Sequence, residues 1–170
     1  MNQQVTLKGN PVNVRGQMPQ SGEALPDFTL TTTDLEDVGL AHFAGKRKLF
    51  NIFPSLDTPT CSLSVQRFNR ELAEVDNLAL IQVSADLPFA HARFCSAEDI
   101  AGGQNLSTFR SPSFLANYGL RLDSGPMAGL CARAVVVADS TDQVVYSELV
   151  AEIGDEPDYD AALAALKQAA

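Results

Sequence analysis

Lys48-Leu49-Phe50-Asn51-Ile52-Phe53-Pro54-Ser55-Leu56-Asp57-Thr58-Pro59-Thr60-Cys61 changes character twice along its length. Residues 48–53 form an apolar run rich in strand formers and read as a buried β-strand. Pro54 has no N–H to give a ladder and ends it. Thr58 is suited to cap a helix, and Pro59 then falls in the first helical turn, where a missing N–H costs nothing. Cys61, Val65, Phe68, Leu72 and Val75 follow at spacings of four, three, four and three, so the helix over 60–75 carries its cysteine on its core-facing stripe. A second apolar run, Leu78-Ala79-Leu80-Ile81-Gln82-Val83-Ser84, completes a βαβ unit that should be parallel and right-handed.

Outward from this unit the pattern stays α/β. Val5 to Val14 alternates apolar and polar residues around Gly9-Asn10, a hairpin added to the main fold with an exposed tip. Asp86-Leu87-Pro88 opens a helix through Phe94 and Cys95, with Asp86 as its N-cap, and Ser111-Pro112 opens another that Gly119 ends. Ala132 to Ala138 and Val144 to Val150 flank the polar turn 139–143 as an antiparallel hairpin, and a last helix follows Pro157. Hairpin, βαβ, helices, ββ and α is the order a thioredoxin-like fold requires: a central mixed sheet flanked by helices.

The chain has 170 residues, 45% of them hydrophobic and 19% charged, so a single domain over 1–170 is expected. Twelve Lys and Arg against 21 Asp and Glu leave a net charge of -9, which disfavours nucleic acid and anionic membrane as partners. The first ten residues lack the form of a signal peptide, and a cytoplasmic location is expected. Three cysteines, Cys61, Cys95 and Cys131, are too few for a secreted disulfide scaffold. In a reducing compartment such thiols suit catalysis or metal binding.

A thiol in a first helical turn feels the positive end of the helix dipole and the orphan N–H groups there, which favour its ionised form. That alone gives little. Lowering a thiol by about 2.5 units from about 8.5 raises its ionised fraction roughly 30-fold at pH 7. The same shift weakens the nucleophile about 10- to 20-fold at a Brønsted coefficient of about 0.4 to 0.5. Most of any rate enhancement must come from fixed donors that orient a substrate and stabilise charge on its leaving atom, a role open to Thr58, to first-turn N–H groups and to a nearby guanidinium. Arg133 lies in the apolar run 132–138, where an arginine needs an anionic partner, and a thiolate would serve.

Pro54-x-x-x-Thr58-x-x-Cys61 resembles the P-x-x-x-T-x-x-C signature of peroxiredoxins, and further blocks resemble their bacterial thiol peroxidase branch, the atypical two-cysteine one. They include Gly9-Asn10-Pro11, Asn51-Ile52-Phe53-Pro54-Ser55, Ser84-Ala85-Asp86-Leu87-Pro88-Phe89-Ala90, Arg93-Phe94-Cys95 and Glu156-Pro157-Asp158-Tyr159, in order along nearly the whole chain. The resemblance implies a peroxidatic Cys61, a resolving Cys95, Thr58 and Arg133 polarising the peroxide, and Pro54 shielding the site from water. It implies hydrogen peroxide and organic hydroperoxides as substrates, an intrachain Cys61–Cys95 disulfide, thioredoxin as reductant, a homodimer, and no metal or organic cofactor. If the two cysteines sit on separately packed helices, closing that bond needs Cα atoms within about 7 Å, so the first turn holding Cys61 must unwind.

Other readings compete. His91 and Cys95 are one helical turn apart and, with Cys61 and Cys131, nominally supply a tetrahedral zinc site, so a non-enzymatic redox-sensing or metal-binding thiol module is the alternative. Two-residue periodicity puts Cys131 on the face of Arg133, as an inert core thiol or an auxiliary one. Lys46-Arg47-Lys48 reads as the solvated entrance to a strand.

Overall fold

The computed structural model describes residues 2–170. Its elements are β1 (Gln3–Leu7), β2 (Asn10–Arg15), β3 (Thr29–Thr31), β4 (Asp37–Gly39), a 3-10 turn (Leu40–Phe43), β5 (Arg47–Ile52), α1 (Pro59–Leu72), β6 (Leu78–Ser84), α2 (Pro88–Ala97), β7 (Gln104–Ser107), α3 (Pro112–Asn117), β8 (Arg121–Leu122), β9 (Ala134–Ala138), β10 (Val144–Leu149) and α4 (Tyr159–Gln168). Seven strands form a mixed sheet in the order β10-β9-β5-β6-β7-β3-β4. Within it β5, β6 and β7 run parallel, and β9 lies antiparallel to β5. This is the expected thioredoxin-like arrangement. The N-terminal hairpin pairs with β8 into a separate three-stranded sheet, and its turn falls on Lys8-Gly9, one residue earlier than the sequence suggests, with both residues at positive φ.

Side chains alternate across the central sheet. Leu49, Leu80, Val135 and Val137 pack with Phe68 and Leu72 of α1 and with Tyr159 and Leu166 of α4. Phe50, Ile52, Ile81, Val83 and Val136 pack on the other face with Phe114 of α3 and with Val5, Val12 and Val14 of the hairpin. Because both faces are covered, β9 is buried at every residue, as a central strand between helical layers must be. Gly119 ends α3 at φ +60, and a Cβ there would meet the Gln17 backbone at 2.3 Å, so the position requires glycine twice over.

Three local expectations are corrected. Lys48 is not at a solvated entrance but fully buried, because β5 is central; its Nζ donates to the Lys46 carbonyl and pairs with Asp142 in the β9–β10 turn. Asp86 does not cap α2. The cap position is Leu87, without a side-chain bond, while the Asp86 carboxylate turns toward the loop ahead of α1. Thr58 is the N-cap residue of α1 by backbone conformation, yet its hydroxyl donates to the Ser55 carbonyl at 3.0 Å instead of accepting from a helical N–H.

Candidate active site

Strand β5 ends at Ile52, and the loop 53–58 turns the chain back into α1. Pro54 is buried in this loop and Thr58 half-buried at its end. Cys61 has no exposed surface and packs with Phe53, Leu56 and Val65, with Phe94 of α2 against the same cluster. From beneath, Ser64 Oγ donates to the Cys61 carbonyl at 2.8 Å and accepts from Asn51 Nδ2, which also donates to Gln82 Oε1. Asn51 and Gln82 face each other across the β5–β6 ladder, so the first turn of α1 is pinned to two central strands. Sequence reasoning missed these residues, although single polar residues inside otherwise apolar strands are the signal that marks them.

Arg133 directly precedes β9, whose Ala134 pairs with Ile52 at the end of β5, and this register brings an arginine 72 residues away to the cysteine. Its contact with Cys61 places it on the α1 face of the sheet, the face of Val135 and Val137. Arg133 is 2% exposed, with Nη2 at 3.2 Å from Cys61 Sγ and Nε donating to the Ile153 carbonyl at 2.8 Å. Its Nη1 is buried with no partner. A charged donor left unpaired in the interior costs about 1–3 kcal/mol or more, so this N–H is poised for an acceptor entering beside the sulfur.

Thr58 offers the complementary group. Its hydroxyl hydrogen is directed to the Ser55 carbonyl, which leaves the lone pairs of its oxygen open to a donor. The segment whose carbonyl holds Arg133 is itself tied to the hairpin, where Ile153 N donates to the Thr6 carbonyl, and to α1, where Thr60 Oγ1 donates to the Gly154 carbonyl. A groove of about 330 Å³ lined by Leu56, Asp57, Thr58, Arg93 and Phe94 runs between the start of α1 and α2.

The cysteines are not joined; all three are free thiols. Cys95 is half-buried on α2, and burial pushes its thiol above the ordinary range. It lines a cavity of about 520 Å³ with Thr32, Asp34 and Glu36, while Cys61 faces Arg133. Cys131 departs from the expected face. Because β9 starts only at Ala134, strand parity does not reach it, and it packs with the core on the other side of the sheet, where burial pushes its thiol up to about 12.

His91 is unavailable as a ligand. Ser84 Oγ donates to Asp86 at 2.6 Å, so His91 Nε2 must donate to Ser84 Oγ, and Nδ1 accepts from Asn105 Nδ2. Among the described residues no group of three or more His, Cys, Asp or Glu is placed to hold a metal ion. Burial lowers His91 from 6.5 to about 4 despite the nearby Asp86 charge, so the unfolded chain takes up a proton here that the folded chain refuses. Stability from this residue is full above about pH 6.5 and is lost as pH falls toward 4, by about 3 kcal/mol. Urea unfolding at pH 7 and pH 4.5 will show it, with a flatter pH dependence of the midpoint in His91→Gln than in the wild type.

The chain matches the Redoxin family over residues 20–163. It is 46% identical over 162 residues to a thiol peroxidase of Vibrio cholerae, covering 95% of this chain and 99% of that protein. Among solved structures, a peroxiredoxin-like protein from Aquifex aeolicus superposes with a TM-score of 0.93 at 34% identity, over 98% of this chain and 97% of that one. A thiol peroxidase from Chromobacterium violaceum does so with a TM-score of 0.90 at 29% identity, over 99% and 98%.

Proposed function

The chain belongs to the Redoxin family, in its thiol peroxidase branch, and from that premise we propose that it reduces hydroperoxides at Cys61 with electrons from an external thiol. The Cys61 thiolate attacks one peroxide oxygen, the O–O bond breaks, and the released oxygen takes a proton and leaves as water or an alcohol. Cys61 is then a sulfenic acid. The Cys95 thiol attacks it, water leaves, and a Cys61–Cys95 disulfide forms. Two electrons from a dithiol, for which we propose thioredoxin, restore both thiols.

The observation that carries this reading is the Arg133 guanidinium, with one N–H on the Cys61 sulfur at 3.2 Å and another buried without a partner beside it. The first stabilises the thiolate, and the second is placed for charge developing on the leaving oxygen. Thr58 orients the peroxide by accepting its O–H, and buried Pro54 limits water in the loop between them.

We further propose one domain over 1–170, a cytoplasmic location, suited to three free thiols, and a homodimer. Support for the dimer lies in exposed Leu87, Phe89 and Phe109. The two backbone segments that carry them are tied together, because Ser107 Oγ donates to the Asp86 carbonyl and receives the Phe109 N–H. Among the described residues no helix is long and apolar enough to cross a membrane. The test is peptide mapping after one equivalent of hydroperoxide, together with steady-state hydroperoxide consumption driven by a thioredoxin system. The expected product is a Cys61–Cys95 bridge with Cys131 still a thiol, and sustained turnover. A bridge to Cys131, or a protein oxidised once and never recycled, would refute the cycle.

A further inference from the structure

We propose that Asp86 is a positioning residue that latches the loop ahead of Cys61 onto the start of the Cys95 helix, and so sets the balance between peroxide attack and disulfide closure. The proposal rests on the cysteine roles given above. Asp86 has the residue type of a helix cap but does not cap α2, and its carboxylate instead serves three other donors. It accepts from Ser55 Oγ at 2.8 Å, from the Leu56 N–H at 2.8 Å and from Ser84 Oγ at 2.6 Å.

On the core side the latch is rigid. The Asp86 N–H donates to Ser84 Oγ at 3.2 Å, Ser107 Oγ donates to the Asp86 carbonyl, and Ser84 is backed by the buried His91 ring. On the loop side its effect spreads. Ser55 Oγ receives the Asp57 N–H at 3.1 Å, and the Ser55 carbonyl receives both the Thr58 N–H and the Thr58 hydroxyl. One carboxylate thus fixes Ser55, and through it the direction in which Thr58 offers its lone pairs. The loop also meets α2 through the Asp57–Arg93 ion pair at 3.2 Å, whose side chains are both 67% exposed, a setting in which such pairs hold little.

The two chemical steps need opposite things from the loop. Peroxide attack needs residues 55–61 held in place so that Thr58, Arg133 and the sulfur converge. Disulfide closure needs the first turn of α1 to leave its seat, and the Leu56 N–H to Asp86 bond lies on the loop that must move. Loosening the latch should therefore slow the first step and speed the second, a split that a general loss of fold does not produce.

The experiment uses the full chain and rapid mixing. It reads the second-order rate of Cys61 oxidation by hydrogen peroxide, the first-order rate of disulfide closure, and the yield of sulfinic acid at excess peroxide. In Asp86→Ala, oxidation is expected to slow about tenfold or more, closure to accelerate several-fold and sulfinic acid yield to fall, as the sulfenic acid is captured sooner. Asp86→Asn should lie between, because its amide oxygen still accepts from Leu56 and its amide nitrogen donates to Ser55. Should Asp86→Ala fail to fold, Ser55→Ala removes the spread to Thr58 alone and should shift both rates in the same opposed directions, by less. Closure that is unchanged or slower in the folded variants overturns the latch. A wild type that forms no Cys61–Cys95 bridge overturns the catalytic reading itself, before any variant is compared.

Discussion

Cys61→Ser will have no measurable hydroperoxide turnover, a loss of at least about 10⁴-fold, while Cys95→Ser will consume one equivalent of hydroperoxide per chain and then stop. The two outcomes differ because the two sulfurs do different chemistry. At Cys61 the reacting atom must be an anionic nucleophile at neutral pH, which sulfur supplies and a serine hydroxyl does not. The exchange is nearly isosteric in a fully buried site, and a serine oxygen still accepts from Arg133, so the fold should survive and the loss be chemical. At Cys95 the thiol acts only after the peroxide has gone. Without it the sulfenic acid waits for an external thiol, and Cys131, buried with its thiol pushed up to about 12, is not a ready substitute. Steady-state consumption and a sulfenic-acid trapping reagent separate the cases: no trapped adduct in Cys61→Ser, one adduct per chain in Cys95→Ser. Multiple turnovers by Cys61→Ser would remove the proposed nucleophile.

What the sequence made legible follows from how local each signal is. The βαβ unit could be read because strand and helix periods differ and because Pro54 and Pro59 mark the junction between them. Arg133 could be read because a guanidinium inside an apolar run demands an anion, and the structure supplies the Cys61 sulfur. Residues whose role depends on a distant partner were misread or missed. Asp86 carries the right side chain for an N-cap, but donors in the distant loop ahead of α1 compete for it and win, whereas Thr58 does take the N-cap position of α1 and only its hydroxyl goes elsewhere, to the nearby Ser55 carbonyl. Lys48 looked solvated because its neighbours are basic, yet β5 lies between β6 and β9 and Asp142 arrives from another turn. Strands β3 and β4 are too short to show a period and β7 is only Gln104–Ser107, so the second half of the seven-stranded sheet leaves no signal, and neither does β8 beside the hairpin. Cys131 shows the limit of parity: one break before β9 is enough to send a residue to the opposite face.

Arg133→Met will slow the reaction of Cys61 with hydroperoxide by about 10²- to 10³-fold with little loss of stability. Two guanidinium N–H groups do the work. Nη2 donates to the Cys61 sulfur and Nη1 is buried without a partner, and on the proposed reading they serve the thiolate and the charge that appears as the O–O bond parts; a thioether does neither. On the stability side, the substitution removes a charge from the interior along with its unpaired N–H, and leaves the Ile153 carbonyl without its donor. These changes oppose one another, since buried charge is costly to desolvate while a lost buried hydrogen bond costs about 1–3 kcal/mol. The urea midpoint should therefore move far less than the reactivity. Arg133→Lys should recover only part of the rate, because one ammonium on a flexible stem cannot hold Ile153, reach Sγ and keep a third N–H free in a fixed plane. Rapid-mixing oxidation of the reduced protein checks the series, and a rate in Arg133→Met within threefold of the wild type would mean that the guanidinium holds the loop but does not act on the peroxide.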